Sequence, residues 1–430
     1  MFVITLFVNA FGASTRDYES GVSLIYRAAV IRANYQKLPY RKRPRWQAYY
    51  LAALYPLGAH VHARLAQDTN NADQFTYQVR VLLHEIDQKE AGSWKLSSPQ
   101  GVIVKNFKVG EWAQFPHMVT VEYRNGALFI NKHKSASEQI WIEPVSGFLH
   151  LNGNDYAGTM LFVKDKKKGY CISQLDIEAY IGSVLRCESW PGWPIEVNKA
   201  FAIACRSYLV SKIAVATQRG LPFHIKNTNI HQTYNGVHTS AELLQAVNET
   251  KGIILAHNKK PIEAMFDSCC GGVIPAHIEG VDFAKAPYLA RTSLCTYCKP
   301  CKIYNWHAEY PLSDVAHRMR KAGIKVNAVD SMEITKLDKA GLVKEVIVKD
   351  GKKRYKLNGK QCYALFDKVN SFCYSIKKEN KSLVLAGRGY GHHLGICQWG
   401  ARRMLDHGKT YRDILEFYYP GVEFMKLTSA

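Results

Sequence analysis

Hydrophobic positions with a helical period dominate residues 176–212, near the middle of the chain. The apolar residues of its first half recur at intervals of three or four, as in an amphipathic helix. They are Ile177, Ile181, Val184 and Leu185. Glu188 follows Ile177 by about three helical turns, so it falls on the same apolar face. Residues 190–193 break the pattern, and Pro194 suits the start of a second helix. The pattern predicts a helical pair with a lone carboxylate on an apolar face.

Alternating apolar and polar positions surround this predicted pair. Short strands bounded by turn residues run from about 76 to the first helix, and a polar, loop-rich stretch with a helix at 241–250 follows the pair. Alternation returns at about 310–380, which we interpret as an inserted β-rich subdomain. The fold class predicted is α+β, with β-rich lobes around a central helical pair and a groove between the lobes.

The first 75 residues differ from the rest. Residues 1–13 contain an apolar run and a small-residue site, which we interpret as an export signal, with a buried N-terminal strand as the alternative. Residues 14–75 are predicted to form a basic helical extension, either packed with a solvated charged face or in contact with an anionic wall or lipid. Residues 76–430 then form the main domain. No run reaches the 18 or so consecutive apolar residues of a membrane span.

Composition narrows the class of protein. Hydrophobic residues make up 47% and aromatic residues 12% of the chain, which indicates a folded globular protein and excludes a disordered one. The net charge of +21 indicates a polyanionic neighbour. Nucleic acid, an anionic membrane surface and an acidic cell-wall glycan all fit that charge.

The chain contains 11 cysteines, several of them clustered. The segment CTYCKPC has the CxxC spacing that suits tetrahedral zinc. Cys295, Cys298 and Cys301 are its three thiols, and the predicted fourth ligand is Cys270, with Cys269, His277 and His307 as alternatives. Disulfides, which suit an exported protein, and reduced packing thiols are the competing interpretations.

Four blocks, in this order, resemble the SpoIID/LytB family of peptidoglycan-active proteins (stage II sporulation protein D and the amidase enhancers). They are LDIEAYIGSVLRCESWPGWPIEVNKAFAIACRSY, HQTYNG, GIILAHNKKPIEAMFDSCCGG and GRGYGHHLGICQWGARRMLDHGKTYRDILEFYYPG. The resemblance covers about 76 to 425. It implies that residues 76–430 form a SpoIID-like catalytic domain, with the substrate groove between its lobes.

The resemblance also assigns site residues. It makes Glu188 the catalytic acid, and it implies a set of substrate-binding residues: Trp190, Lys199, Arg206, Gln232, Tyr234, His392 and Gln398. The chain departs from the family pattern at Phe201, His393 and Cys397, where the family has Gln, Gly and Ser. Some relatives hold zinc in the loop before the Gln block; here that loop has His224 and His231 but no cysteine.

Each of these residues also has a structural interpretation. Glu188 could be a salt-bridged residue at the helical corner. Lys199 and Arg206 could form ion pairs, and His392 could be a satisfied structural histidine. Trp190 and Tyr234 could be core aromatics, since large aromatic side chains are more often buried than exposed to ligands.

The activity that the resemblance implies is that of a lytic transglycosylase, which cleaves the MurNAc–GlcNAc β-1,4 bond and leaves a 1,6-anhydroMurNAc end. One carboxyl group can make both proton transfers, whereas ordinary glycosidases use two. Burial of Glu188 should raise its pKa and favour the acid form. The chemistry requires no cofactor, so a zinc ion would be structural. We expect glycan strands stripped of stem peptides as the substrate.

Two other functions compete with this one. A non-catalytic peptidoglycan-binding enhancer of a cell-wall amidase is the first, and it would make an amidase or septal proteins the partners. A zinc-dependent nucleic-acid-binding protein is the second, but the basic residues do not cluster around the cysteines, so no nucleic acid is expected. The expected location is the periplasm or the extracytoplasmic cell envelope, after export, with membrane association left open.

Overall fold

The computed structural model describes residues 65–66, 77–106, 111–189, 192–238 and 240–428. The predicted export signal at 1–13, almost all of the predicted extension at 14–75 and Trp190 lie outside the described residues. The described residues form a mixed α+β fold, which confirms the predicted α+β class, while the lobes and the groove between them stay a prediction. They divide into two compact units. Unit 1 comprises the described residues of Met1–Glu188, Leu209–Ile254 and Met425–Ala430, and unit 2 comprises those of Ser189–Tyr208 and Leu255–Phe424.

Unit 1 is rich in strands. In chain order they are β1 (Leu65–Ala66), β2 (Gln78–Asp87), β3 (Gly92–Ser97), β4 (Val102–Lys105), β5 (Trp112–Phe115), β6 (Met118–Arg124), β7 (Ala127–Ile130), β8 (His133–Lys134), β9 (Gln139–Pro144), β10 (Leu149–Leu151), β11 (Asn154–Tyr156), β12 (Thr159–Asp165), β13 (Lys168–Asp176) and β14 (Ile225–Lys226). One sheet has the order β11-β10-β3-β6-β7-β8, and the other has the order β14-β2-β13-β12-β9-β4-β5. Only the pairing of β14 with β2 is parallel among the strand pairs of these two sheets.

The two sheets of unit 1 share one core. Alternate residues of β6 are buried because successive side chains on a strand point to opposite faces. Across the core, the rings of Trp94 from β3 and Phe162 from β12 have centroids 5.3 Å apart. Gly169 of β13 lies against the ring of Tyr123, where a side chain would collide with the ring. The predicted strands before the helical pair therefore form a two-layered β structure.

Seven α-helices occur among the described residues. They are α1 (Ile177–Glu188), α2 (Ile195–Gln218), α3 (Ala241–Glu249), α4 (Leu312–Lys321), α5 (Gly359–Leu365), α6 (Gln398–Met404) and α7 (Tyr411–Tyr418). The helical pair predicted at 176–212 is therefore confirmed as α1 and α2. Helix α1 continues directly from β13, and the Asp176 carboxylate accepts hydrogen bonds from the backbone N–H groups of Glu178 and Ala179 at 2.8 and 3.2 Å. This side chain satisfies donors that a helix N-terminus leaves without intrahelical partners.

Helix α2 is unusually long and apolar. It begins in unit 2 and ends in unit 1. Its 24 residues are long and apolar enough to cross a membrane by length and composition alone, which the sequence-based search for continuous apolar runs did not anticipate. However, 72% of its most apolar window is buried inside the protein. A helix in a protein core meets the same criteria of length and composition as a membrane span. Because α2 is mostly buried, we interpret it as a core helix.

Unit 2 contains the remaining strands, except that β15 begins and β25 ends in unit 1. They are β15 (Ile253–His257), β16 (Lys260–Pro261), β17 (Phe266–Asp267), β18 (Asn305–Pro311), β19 (Ser331–Leu337), β20 (Val343–Asp350), β21 (Lys353–Asn358), β22 (Tyr374–Glu379), β23 (Ser382–Arg388), β24 (Ile396–Cys397) and β25 (Glu423–Leu427). Two three-stranded sheets, β18-β23-β22 and β19-β20-β21, share one hydrophobic core with α4 and α5. Strands β17 and β24 pair in parallel, which places Asp267 beside Cys397.

Candidate functional site

Glu188 is the last residue of α1, and its side chain is partly exposed. Its Oε1 accepts a hydrogen bond from the backbone N–H of Thr233 at 2.9 Å. Burial raises the pKa of the Glu188 carboxyl above its usual value, and the hydrogen bonds with Thr233 oppose that shift without cancelling it. A carboxyl group in this setting retains its proton to higher pH than an ordinary glutamic acid and can act as a proton donor.

The segment Gln232-Thr233-Tyr234 contacts Glu188 through Thr233 and is anchored in the interior by the side chains of Gln232 and Tyr234. The hydroxyl of Tyr180, on α1, donates to Gln232 Oε1 at 3.1 Å. The Tyr234 ring lies 5.4 Å from the Tyr180 ring, and its hydroxyl is 3.2 Å from Ser173 Oγ. Gln232 and Tyr234 are both fully buried. Their side chains lie in the interior, next to the backbone that contacts Glu188. Contact of either residue with substrate stays a prediction.

The end of the same loop is attached to the middle of α1. The Ser183 hydroxyl donates to the Gly236 carbonyl, and His238 Nε2 donates to the Gly182 carbonyl at 2.5 Å. Gly236 has a φ of +80°, and a side chain there would collide with the carbonyl oxygen of Asp155. Glycine therefore permits both the left-handed backbone and the close approach. The loop is fixed to α1 at two places, which limits the movement of the N–H group that holds Glu188.

Thr233 and Tyr180 were not predicted as site residues. Thr233 contacts Glu188 through its backbone N–H and through its side chain. Neither contact leaves a signal in the local sequence, because the two residues lie on separate segments. Tyr180 has the position of a core aromatic in α1, and only the structure reveals its polar contact with Gln232. In the sequence, its role at the site is indicated only by its position within the AYIGS part of the first family block.

Lys199 and Arg206 lie on α2 within unit 2 and have different surroundings. Lys199 Nζ is 2.9 Å from Glu196 Oε1, and it lies 5.9 Å from the centroid of the Tyr411 ring. The contact with Glu196 agrees with the interpretation of Lys199 as an ion-pair residue. Arg206 is fully buried, with Nη1 3.4 Å from the Ala202 carbonyl oxygen. The guanidinium thus lies in the interior, and contact of Arg206 with substrate stays a prediction.

The loop before α6 carries the two predicted C-terminal site residues. His392 is partly exposed; its Nδ1 accepts the backbone N–H of Leu394 at 3.1 Å, and burial lowers the pKa of His392 to about 4. The ring is therefore neutral near pH 7. Gln398 is the first residue of α6 and is only 7% exposed. Its burial leaves little of the side chain available to a ligand.

His393 also has a distinct structural role. Its backbone has a φ of +68°, and its N–H donates to the Asp267 carboxylate at 2.7 Å. Its Nδ1 donates to the Cys270 carbonyl at 2.9 Å. Burial raises the pKa of Asp267 well above its usual value. The departure from the family glycine at 393 thus places a histidine in a backbone region that usually favours glycine, where polar contacts hold it.

The histidines of the loop before the Gln block are engaged with other groups. Arg80 donates its backbone N–H to His224 Nδ1 at 3.1 Å, and its guanidinium lies 3.2 Å from His224 Nε2. His231 Nδ1 accepts the Lys226 N–H at 3.3 Å. Burial and the nearby guanidinium lower the pKa of His224 to about 3. A cationic group against Nε2 and a hydrogen bond at Nδ1 leave His224 poorly suited to bind a metal.

Four cysteines of unit 2 form a compact group. The Sγ atoms of Cys270, Cys295, Cys298 and Cys397 all lie within 4.8 Å of one another, and all four residues are buried. Three of the four predicted ligands belong to this group. Cys301 does not, because its Sγ lies 3.7 Å from Cys269 Sγ instead. Cys397 takes the fourth position, which the linear spacing of CTYCKPC could not reveal.

The predicted site residues fall into both units. Glu188, Gln232 and Tyr234 belong to unit 1, and Lys199, Arg206, His392 and Gln398 belong to unit 2. Their convergence on one groove stays a prediction.

A surface cavity of about 470 Å³ lies within unit 2. It is lined by Thr296, Tyr297, Pro300, Arg403, Asp406 and His407. None of these is a predicted site residue, so this cavity does not locate a glycan.

Comparisons with known proteins agree with the resemblance. The sequence profile of the family described as SpoIID, stage II sporulation protein, matches residues 165–257, which include Glu188 and the Gln232 loop. An uncharacterized protein of Brachyspira hyodysenteriae is 31% identical over 313 residues, which cover 72% of this chain and 82% of the relative. Stage II sporulation protein D of Bacillus subtilis is 27% identical, with 59% of this chain and 75% of the relative covered.

The amidase enhancer of Bacillus subtilis is also similar. It is 24% identical over 359 residues, which cover 70% of this chain. The chain spans about half of the length of that relative, since 49% of it is covered. Taken together, the matches establish that the chain belongs to the SpoIID/LytB family. Membership supports a role connected with peptidoglycan.

Proposed function

We propose that this protein is a lytic transglycosylase that cleaves MurNAc–GlcNAc β-1,4 bonds of peptidoglycan glycan strands. The observation that carries the proposal is the setting of Glu188: a partly exposed carboxyl group whose pKa is raised by burial and whose Oε1 is fixed by the Thr233 N–H. A fixed carboxyl group that keeps its proton to higher pH than an ordinary glutamic acid suits the first step of the reaction.

In the first step the Glu188 carboxyl donates its proton to the glycosidic oxygen. The C1–O4 bond breaks, and the departing GlcNAc leaves with a free hydroxyl. In the second step the Glu188 carboxylate removes the proton from the C6 hydroxyl of MurNAc. The C6 oxygen then bonds to C1, the anhydro ring closes, and Glu188 is protonated again. No water is consumed, and no metal or cofactor enters either step.

The raised pKa of Glu188 suits both steps. A raised pKa increases the fraction of carboxyl groups that carry a proton before cleavage, and it makes the carboxylate a stronger base after cleavage. The Thr233 N–H fixes one carboxyl oxygen and so orients the other. Lys199 remains a candidate for the lactyl carboxylate of MurNAc.

The test is digestion of denuded glycan strands by the purified protein, with product masses measured by mass spectrometry. We expect 1,6-anhydroMurNAc ends from the wild type. Glu188→Gln keeps the size of the side chain and removes the acid, and it should lower the rate by about 10²- to 10⁴-fold, the usual contribution of general acid–base catalysis.

Glu242→Gln is the matched control. Glu242 is an exposed glutamate in the first turn of α3, also in unit 1, so this variant should retain full activity. Unchanged anhydro product from Glu188→Gln would overturn the assignment of Glu188. Hydrated reducing ends in place of anhydro ends would show a hydrolase and overturn the reaction type.

The similarity to the amidase enhancer supports a second candidate function, a peptidoglycan-binding protein that stimulates a cell-wall amidase. Under this alternative the protein produces no anhydro ends by itself. It would accelerate the release of stem peptides by a purified amidase, and Glu188→Gln would stimulate the amidase as well as the wild type does. Stimulation that disappears in Glu188→Gln, together with anhydro products, would exclude the enhancer role as the whole function.

The proposed substrate also sets the proposed location. Peptidoglycan lies outside the cytoplasmic membrane, so we propose that the chain works in the periplasm or the extracytoplasmic envelope, near septal proteins or an amidase. The net charge of +21 favours contact with anionic wall glycan or with the membrane surface.

A further inference from the structure

The four-cysteine group of unit 2 is assembled from three separate segments. Cys270 follows β17, Cys295 and Cys298 belong to the CTYCKPC segment, and Cys397 is the last residue of β24. The Sγ atoms of Cys270 and Cys298 are 3.7 Å apart, those of Cys295 and Cys298 are 4.0 Å apart, and all six separations are within 4.8 Å. The fold therefore brings thiols that are far apart in the chain to a common centre.

We propose that Cys270, Cys295, Cys298 and Cys397 bind one zinc ion as a tetrahedral four-thiolate site. Zinc–sulfur bonds of about 2.3 Å place the corners of a tetrahedron about 3.8 Å apart. The separations of 3.7 and 4.0 Å match that edge. A disulfide instead requires sulfur atoms about 2 Å apart. A group of four sulfurs that all lie within 4.8 Å of one another also differs from two separate disulfides, each of which would pair its sulfurs closely.

Surrounding donors suit sulfur atoms that carry negative charge. The backbone N–H groups of Cys270 and Gly400 donate to Cys397 Sγ at 3.2 and 3.3 Å. The Tyr418 hydroxyl lies 3.2 Å from Cys295 Sγ. Hydrogen bonds of this kind orient metal-bound ligands and partly neutralise them. Two backbone N–H donors at Cys397 and a hydroxyl beside Cys295 therefore suit sulfur atoms that carry negative charge.

Close packing against the sulfurs depends on Gly400. A side chain at this position would begin 3.0 Å from Cys295 Sγ and 3.2 Å from Cys397 Sγ, and it would collide with the Tyr418 hydroxyl. Arg291 supplies positive charge nearby: it is only 2% exposed, and its guanidinium carbon lies 5.6 Å from the centroid of the Tyr418 ring. Four thiolates around a divalent ion leave a net charge of about −2, which a buried cation offsets.

The burial of all four ligands makes the site structural. Catalytic zinc keeps one position for water or substrate, whereas four protein thiolates close the coordination sphere. The ion would connect the loop after β17 to the start of α6. That connection fixes the segment that carries His392 and Gln398, because Cys397 directly precedes Gln398 and the Cys270 carbonyl accepts from His393. The inference does not rest on the proposed glycan chemistry.

Cys301 provides a control for the choice of ligands. It belongs to the same CTYCKPC segment and is buried, but its Sγ pairs with Cys269 at 3.7 Å and lies outside the four-cysteine group. If spacing in the sequence selects the ligands, Cys301 binds zinc and Cys397 does not. If the folded geometry selects them, the reverse holds.

The experiment measures zinc in the full-length protein, purified under reducing conditions without added chelator, by elemental analysis. We expect about one zinc per chain in the wild type and in Cys301→Ser. Loss of groups that merely support a ligand costs about 10- to 100-fold in metal affinity, so Cys397→Ser should lower zinc affinity in chelator competition by more than about tenfold. Iron in place of zinc would overturn the choice of metal.

A second measurement covers the case in which Cys397→Ser does not fold. The wild-type protein is loaded with cobalt, and we expect the visible absorption of tetrahedral cobalt bound to thiolates. Titration of the native protein with an organomercurial should release the ion as four thiols react. A wild-type chain with neither zinc nor the cobalt spectrum, disulfides among the four cysteines, or zinc lost from Cys301→Ser but retained by Cys397→Ser would overturn the proposal.

Discussion

Tyr180 provides the sharpest test of how Glu188 is held. Replacing it with phenylalanine removes one oxygen atom and keeps the ring, which packs 5.4 Å from the Tyr234 ring. The lost contact is the hydrogen bond from the Tyr180 hydroxyl to Gln232 Oε1 at 3.1 Å, where both residues are fully buried. The change therefore removes the hydroxyl that donates to the segment next to Glu188, and it leaves the apolar packing of the ring in place.

The magnitude follows from the burial of this bond. An ordinary intramolecular hydrogen bond contributes about 1 kcal/mol to the free energy of unfolding, and a buried acceptor that loses its donor costs about 1–3 kcal/mol. We expect Tyr180→Phe to lower the free energy of unfolding by an amount within that range, measured by urea denaturation. Tyr170→Phe is the control, because within the described residues the structure records no hydrogen bond to the Tyr170 hydroxyl.

The same variant should change the acidity of Glu188. The Thr233 N–H lowers the pKa of the Glu188 carboxyl, and burial raises it. Loosening the Gln232 segment weakens the lowering influence, so the pKa rises further and the alkaline limb of the pH–rate profile moves to higher pH. The assay is anhydro-product formation from denuded glycan across a pH series. If Tyr180→Phe matches Tyr170→Phe in both stability and pH profile, the Tyr180–Gln232 bond does not position Glu188.

Two further predictions concern stability and pH. Because the folded-state pKa of Glu188 lies above the unfolded value of 4.5, its ionisation costs stability as pH rises from 4.5 through the folded pKa. Glu188→Gln should thus be more stable than the wild type at neutral pH, with the difference vanishing below about pH 4.5 in thermal melts; equal melting at every pH would contradict this. Burial lowers the pKa of His392 from 6.5 to about 4, so stability is lost as pH falls through that window. His392→Gln should lose less stability over the same window, and an unchanged acid slope would count against a buried neutral His392.

The helical pair was predictable because its signal is local. The apolar spacing that ends at Glu188 sets the face of α1, and the break at 190–193 separates the two helices without reference to any distant residue. The burial of Gln232 and Tyr234 was not predictable in the same way. Their polar atoms look available in the sequence, and only the contacts with Tyr180 and Ser173 show that they are satisfied in the interior.

The cysteine group shows the same limit. The CxxC spacing identified Cys295 and Cys298 because two ligands three residues apart can bind one ion within a single turn. The fourth position depends on the parallel pairing of β17 with β24, which brings Cys397 to Cys270 across 127 residues of chain. Local spacing favoured Cys301, and long-range strand pairing selected Cys397 in the structure.

The division of the chain into units has a consequence for how the protein is made. Unit 1 is discontinuous: the Tyr77 hydroxyl donates to the Thr428 carbonyl at 2.7 Å, and Leu65 pairs with Leu427. These contacts cannot form until residues 425–428 have left the ribosome. Residues 425–428 therefore join unit 1 only after the segments of unit 2 have been synthesised. Strand β1 and Tyr77 wait for partners that lie more than 300 residues later in the chain.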